Sequence, residues 1–246
     1  AINLSAWNEV EEFIQSGQEA YQELKFCSVP VVGASAGLCL GGGAEVLLHC
    51  DAIQAHSESY IGLVEVGVGI IPAWGGCKEM IARIRDFDLA PGGPMGPIMK
   101  AFETIGTAQV AKSADQARSM GFLGPDDGIS MNRDRLLADS KMKALEMSES
   151  YSPPEPHSFN LPGPTARIAL EMAVSDLARS GKATPHDVVV TSELAKVLSG
   201  GEADLIDSLG EEEILALERE SIGRLGRLEN TIQRMEHMLQ TGKPLR

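Results

Sequence analysis

The chain has 246 residues, and 35 acidic against 21 basic side chains give it a formal net charge of −14. A hydrophobic content of 43% supplies a buried core and excludes a disordered chain, while the acidity excludes general binding to nucleic acid or an anionic membrane. Aromatic residues, at 4%, are too few for stacking platforms, and ten of the 26 glycines crowd between Gly33 and Gly76, where backbone can turn sharply or approach a ligand.

In chain order, Asn8 is placed to cap a helix with an apolar side of Val10, Phe13, Ile14, Tyr21 and Leu24, and Glu11 stands at the capping-box spacing. Val29-Pro30-Val31-Val32 reads as a short buried strand with proline near its start. Phe26 to Ala44 lacks any charge over 19 residues, but Pro30, five glycines and two serines make it poor material for a bilayer span. Gly41-Gly42-Gly43 opens a second helix, Ala44 to about Cys50. Strands follow at Asp51–Ala55 and Ile61–Leu63, and the alternation argues for an α/β core. Arg85 to Pro97 is a Gly/Pro-rich loop. Helices are predicted over Ile98–Gly106, over Ser113–Met120 between a Ser113 N-cap and Gly121, and over Asn132–Ser150. Tyr151 to Pro164, with five prolines, reads as a linker, and the remainder is helical to Glu211–Gln240. There Ile214, Leu217, Leu225, Leu228, Ile232, Met235 and Leu239 nearly fit a three–four spacing broken at Ser221, which suits a packed helix or a subunit interface.

The four cysteines (Cys27, Cys39, Cys50, Cys77) form no metal-ligand spacing, so a reduced, cytoplasmic setting without metal is expected. Gly33-Ala34-Ser35-Ala36-Gly37 matches the nucleophile elbow of serine hydrolases. That elbow needs a helix directly after the serine, however, and four of the next eight residues are glycine. Asp126, His157 and His186 offer a triad no informative spacing. Gly67-x-Gly69-x-x-Pro72 lacks the third glycine of a dinucleotide fingerprint. A better candidate is the Gly41-Gly42-Gly43 helix start, whose free N–H groups suit an oxyanion or phosphate. Glu45 and Glu65 are isolated carboxylates in apolar surroundings nearby. Two such groups beside a backbone donor suggest proton transfer next to a carbonyl, and burial would raise their pKa values. Two surface glutamates, one capping a helix, fit the spacing equally well.

Val29-Pro30-Val31-Val32, Gly37-Leu38-Cys39-Leu40-Gly41-Gly42-Gly43-Ala44-Glu45 and Asp51 resemble the first signature of the crotonase (enoyl-CoA hydratase/isomerase) superfamily. Ile61-Gly62-Leu63-Val64-Glu65-Val66-Gly67-Val68-Gly69-Ile70-Ile71-Pro72 with Gly75-Gly76 resembles the second, and the 20-residue separation of Glu45 and Glu65 is the hydratase pattern. Ala114-Asp115-Gln116-Ala117 to Gly121-Phe122-Leu123 resembles the helix–turn that follows, so the likeness covers about residues 8 to 125. Met131-Asn132-Arg133-Asp134 and the stretch Met238 to Leu245 are similar to the hydratase portion of multifunctional proteins that also carry 3-hydroxyacyl-CoA dehydrogenase.

The resemblance implies an α/β crotonase-like spiral core over 1–125, followed by a mostly α-helical region over 126–246 with its linker near 151–164. It implies hydration of a trans-2-enoyl-CoA to the 3-hydroxyacyl-CoA in fatty-acid β-oxidation. Glu45 would activate water and Glu65 would handle the α-carbon proton. Gly42 N–H would serve as an oxyanion donor, and Gly41, Gly43, Trp74 and Gly75 would bind substrate. No cofactor is expected for hydration, CoA being part of the substrate, and NAD only for a dehydrogenase part outside these residues. No nucleic-acid partner is expected, and a homo-oligomer could form through the C-terminal helices. Ala1 is followed almost at once by a helix, so the chain reads as an N-terminally truncated piece without the family's other oxyanion loop. Loss of one such donor costs about 10²–10³ in rate, which would leave the piece weak or inactive. Ala73-Trp74 departs from a usually glycine-rich stretch and places Trp74 either in the acyl pocket or in the core. A double-bond isomerase, or a docking module without chemistry, are the competing functions.

Overall fold

The computed structural model describes residues 6–245. Helix α1 (Trp7–Lys25) leads into strands β1 (Val32–Ser35) and β2 (Leu38–Leu40), helix α2 (Gly42–Leu48), and strands β3 (Ala52–His56) and β4 (Tyr60–Gly62). After a 3-10 turn, Glu65–Val68, come α3 (Gly76–Asp86), α4 (Met95–Gly106), α5 (Ala114–Ser119), β5 (Gly128–Ser130) and α6 (Leu136–Ser148). The last part is helical: α7 (Pro164–Arg179), α8 (Pro185–Ser199), α9 (Glu211–Leu225) and α10 (Glu229–Thr241).

Two small parallel sheets form the centre. One has the order β1-β3-β5 with Val32 beside Ala52; the other pairs β2 with β4, Leu38 beside Tyr60. Each of the first two passes of the chain therefore lays one strand in each sheet and returns through a helix, and the third adds β5 to the larger sheet alone before α6, which is the α/β spiral expected. A single core joins these strands to the later helices. Ile53, Ile61, Leu63 and Met80 share it with Phe159, Leu170, Leu194, Leu198, Ile214 and Leu225. None of the described helices is long and apolar enough to cross a membrane.

Several elements differ from the sequence reading. Helix α1 starts at Trp7 with Ala6 as its N-cap and no side-chain cap, so Asn8 lies inside the first turn. Its buried face is Ile14, Gln18 and Lys25, whereas Phe13 is 64% exposed. Polar partners turn the helix this way: Gln18 donates to the carbonyls of Ala73 (2.7 Å) and Leu215 (3.0 Å). The first strand sits three residues later than Val29. Pro30 has no N–H to pair, and Val31 N–H is taken by Asp51 Oδ2 at 2.7 Å. Strand β2 is absent from the sequence reading. Ser113 does cap α5, accepting from Gln116 N–H. The Glu211–Gln240 helix is two helices parted at Gly226–Leu228, and Ser221 is no break but a fully buried position within α9.

The proline-rich 151–164 segment is held down along its length. Tyr151 donates to Asp51 (2.9 Å), His157 N–H to Glu211 (2.9 Å), and Phe159, 1% exposed, makes an antiparallel bridge to Leu209.

Candidate active site

The glycine run works as a sharp corner between β2 and α2. Gly41 takes φ +58°, ψ −131°, a conformation that a side chain strains. A Cβ there would also meet Glu65 Oε1 at 3.1 Å. Gly41 N–H bonds Gly62 O at 2.9 Å, but among the described residues nothing accepts from Gly42 or Gly43 N–H. One turn into α2, Glu45 is 2% exposed. Its Oε1 accepts from Trp74 N–H and Gly76 N–H, both at 2.9 Å, while its Oε2 accepts no hydrogen bond from the described residues. Glu65 opens the 3-10 turn, and its Oε2 is shut off from solvent without a hydrogen-bond partner.

Glu45, Glu65, Gly42 and Trp74 line one cavity of about 300 Å³, walled by apolar residues such as Val10, Ile14, Ile71, Ile222 and Met235. Burial pushes Glu45 up to about 7, against the pull of the Gly76 and Trp74 N–H groups. Burial, and then the charge of Glu45, push Glu65 up to about 8. The pair therefore holds one proton near neutral pH, and the two apparent values belong to both groups together. The N–H donors on Glu45 favour its anion, and the bare oxygen of Glu65 favours its acid form.

Trp74 covers the mouth of the corner. Its ring packs edge-on against Phe13 and Tyr21, each at 5.5 Å, and Tyr21 O–H donates to Gly42 O at 3.1 Å. A Cβ on Gly17 would fall 2.2 Å from Trp74 Nε1, so the indole lies against α1 only because that position is glycine. Three residues paired with this group from sequence lie outside the cavity lining. Gly41 N–H is already bonded to Gly62 O, Gly43 is exposed, and Gly75 N–H is occupied by Glu218 Oε2 at 2.8 Å.

Glu218 itself is a residue sequence reasoning missed. It reaches from α9 to the start of α3, is 0% exposed, and also accepts from Cys77 N–H (3.1 Å) and Lys78 N–H (3.3 Å) through Oε1. Burial and the charge of Glu45 push it up to about 8. The signal that could have found it is its place on the buried stripe of α9, between Ile214 and Leu225.

Behind the pair stands a buried ionic cluster. Lys25 Nζ bonds Glu79 (2.6 Å) and Glu211 (2.7 Å); Lys78 Nζ bonds Glu79, Glu211 (2.8 Å) and His49 Nε2 (3.2 Å). His49 Nδ1 donates to Glu45 O at 2.7 Å, leaving Nε2 to accept from Lys78. The ring is therefore neutral, in keeping with burial that pulls its pKa down to about 4.

The elbow serine is no nucleophile. β1 runs on into β2 without a helix, and Ser35, 4% exposed, meets only Ser59. His186 bonds Thr231, and His157 lies 3.8 Å from Asp86. All four cysteines are free, and no metal-ligating group of three or more converges among the described residues.

The family model described as Enoyl-CoA hydratase/isomerase matches residues 3–90, which contain both glutamates and the glycine corner. The protein "Probable 3-hydroxyacyl-CoA dehydrogenase" of Bacillus subtilis (strain 168) is 40% identical over 97% of this chain and 30% of its own length. The chain belongs to the crotonase superfamily. A "Crotonyl-CoA hydratase" of Syntrophomonas wolfei is 40% identical over 32% of this crotonase chain and 30% of its own. The crystal structure of enoyl-CoA hydratase from Bacillus halodurans superposes with a TM-score of 0.57 at 16% identity, over 92% of this chain and 68% of that one, a likeness of fold. The chain spans about 30% of the length of the curated relatives that it matches almost throughout.

Proposed function

We propose that this crotonase site hydrates trans-2-enoyl-CoA thioesters to 3-hydroxyacyl-CoA as a step of fatty-acid β-oxidation. The observation that carries the reading is the Glu45–Glu65 pair in one apolar cavity, a buried carboxylate and a half-buried one whose Oε2 is shut off from solvent, beside the unpaired N–H of Gly42. Glu45, anchored through Oε1, takes a proton from water with its free oxygen as the water oxygen bonds C3. Glu65, the more readily protonated partner, delivers a proton to C2, so the pair begins and ends with one proton. Gly42 N–H receives the thioester oxygen, which gains charge as C3 is attacked; a donor aimed there counts most in that enolate-like transition state. Glu45, Glu65 and that backbone donor supply the chemistry of the step without a cofactor. In keeping with the dehydrogenase name of the Bacillus subtilis relative, the 3-hydroxy product would be oxidised with NAD by a different part of the same protein.

The test is loss of the conjugated thioester absorbance of crotonyl-CoA, in the wild type and in Glu45→Gln and Glu65→Gln. Wild-type rates in both variants would defeat the hydratase reading.

Trp74 lines the same cavity and narrows it beside Gly42. Trp74→Leu is expected to raise kcat/KM for a ten-carbon enoyl-CoA relative to crotonyl-CoA by about tenfold, the scale that a methylene or two contributes in an apolar pocket. An unchanged ratio would leave Trp74 as packing alone.

A further inference from the structure

The start of α3 presents its backbone N–H groups to two carboxylates that arrive from opposite sides. Glu45, from α2, takes Trp74 and Gly76; Glu218, from α9, takes Gly75, Cys77 and Lys78. The donors interleave along the chain, so neither acid can move without freeing groups the other could claim. Glu218 is a costly residue to bury. It is 0% exposed, and among the described residues no lysine or arginine forms an ion pair with its side chain, so the three N–H groups are its direct partners, helped by the more distant charge of Lys78. Cys77 and Lys78 are 0% exposed as well, so water cannot stand in for the carboxylate there.

We propose that Glu218 is a positioning residue for Glu45. By occupying the Gly75, Cys77 and Lys78 N–H groups, it leaves Glu45 only those of Trp74 and Gly76, fixing one Glu45 oxygen and turning the other to the cavity. This rests on the hydratase reading of Glu45. It also gives the helical C-terminal region a part in the chemistry, because the group that settles the Glu45 rotamer comes from α9, 173 residues further along the chain (218 − 45). Without Glu218, three unsatisfied donors beside Glu45 would draw its free oxygen away from the cavity.

The experiment compares crotonyl-CoA hydration by the intact protein in wild type, Glu218→Gln, Glu45→Gln and the double variant. Glu218→Gln keeps the side-chain volume but sets an amide N–H against backbone donors. It is expected to lower kcat at least tenfold with KM within threefold, and to change kcat less than twofold when Glu45 is already Gln, since residues acting as one unit are not additive. The same fold-loss in both backgrounds, or a Glu218→Gln kcat within twofold of wild type, would overturn the inference and leave Glu218 a helix cap. If Glu45→Gln itself keeps the wild-type kcat, the role of Glu45 on which this inference rests fails first. Should Glu218→Gln not fold, Glu218→Asp, one methylene shorter with its charge kept, makes the same comparison. A kcat loss confined to the Glu45 background supports the proposal, and an unchanged kcat refutes it.

Discussion

Glu45→Gln and Glu65→Gln are each expected to lower kcat for crotonyl-CoA hydration by ~10²–10⁴-fold, the contribution of a positioned acid or base, with a much smaller change in KM. Either change removes one half of a pair that must hold a single proton. The same geometry fixes the pH dependence. Below about 7 both carboxyls are protonated and the base is lost; above about 8 both are ionised and the acid is lost. A bell-shaped kcat profile between those limbs is expected, shaped also by Glu218, Lys78 and Tyr21, whose charges or hydroxyl lie within reach of the pair. Stability runs the other way. A group raised in the folded state contributes stability below its unfolded value, near the ordinary 4.5, and loses it as pH rises through the folded value. Glu65→Gln, which spares the fold an unpartnered buried anion, should therefore melt higher than wild type at pH 9 while working far more slowly. A melting temperature lowered at pH 9 would contradict the strain assigned to Glu65.

The pair was half legible in the sequence. Glu45 and Glu65 each stand alone in an apolar run next to glycines, but two surface glutamates fit that spacing equally well, and only the resemblance to the family favoured the pair; that both line one apolar cavity comes from the fold. Gly41 was legible, since a corner at positive φ between strand and helix admits little else. Glu218 was hidden in the opposite context. Its helix carries Glu211, Glu212, Glu213 and Glu220 as well, so one more glutamate reads as solvated surface. Only the helical register, with Ile214, Glu218, Ser221 and Leu225 on one buried face, separates it, and that same register made Ser221 look like a break. Gly43 shows the limit from the other side, a member of the glycine run that the helix start turns outward. The short strands followed a similar rule. β3 is buried and internal and could be placed to within a residue, whereas β2, three residues with Leu38 75% exposed, leaves no alternation to read.

Lys78→Met is expected to destabilise the fold by about 3–5 kcal/mol, the cost of breaking a buried ion pair by removing one partner. For a chain of this size that is roughly 10 °C in melting temperature. Lys78 is 0% exposed, and its ammonium serves Glu79, Glu211 and the neutral His49 ring at once. Removing it leaves two buried carboxylates to Lys25 alone and strips the donor from His49, whose other nitrogen holds the carbonyl of Glu45. Lost neutrality, more than lost contact, sets the size of the effect. Lys78→Met with Glu79→Gln restores the balance of charge and should be markedly more stable than the sum of the single changes. The pH signature has a definite sign. Neighbouring lysines hold Glu79 and Glu211 below the ordinary carboxylate range against the opposing effect of burial, Glu211 at about 2. Their contribution is present above the unfolded value near 4.5 and is lost as pH falls toward the folded ones. Wild-type stability should thus drop steeply between about pH 4.5 and 2, and Lys78→Met should flatten that slope; equal slopes in the two proteins would show that the cluster does not hold α1, α3 and α9 together through its charges.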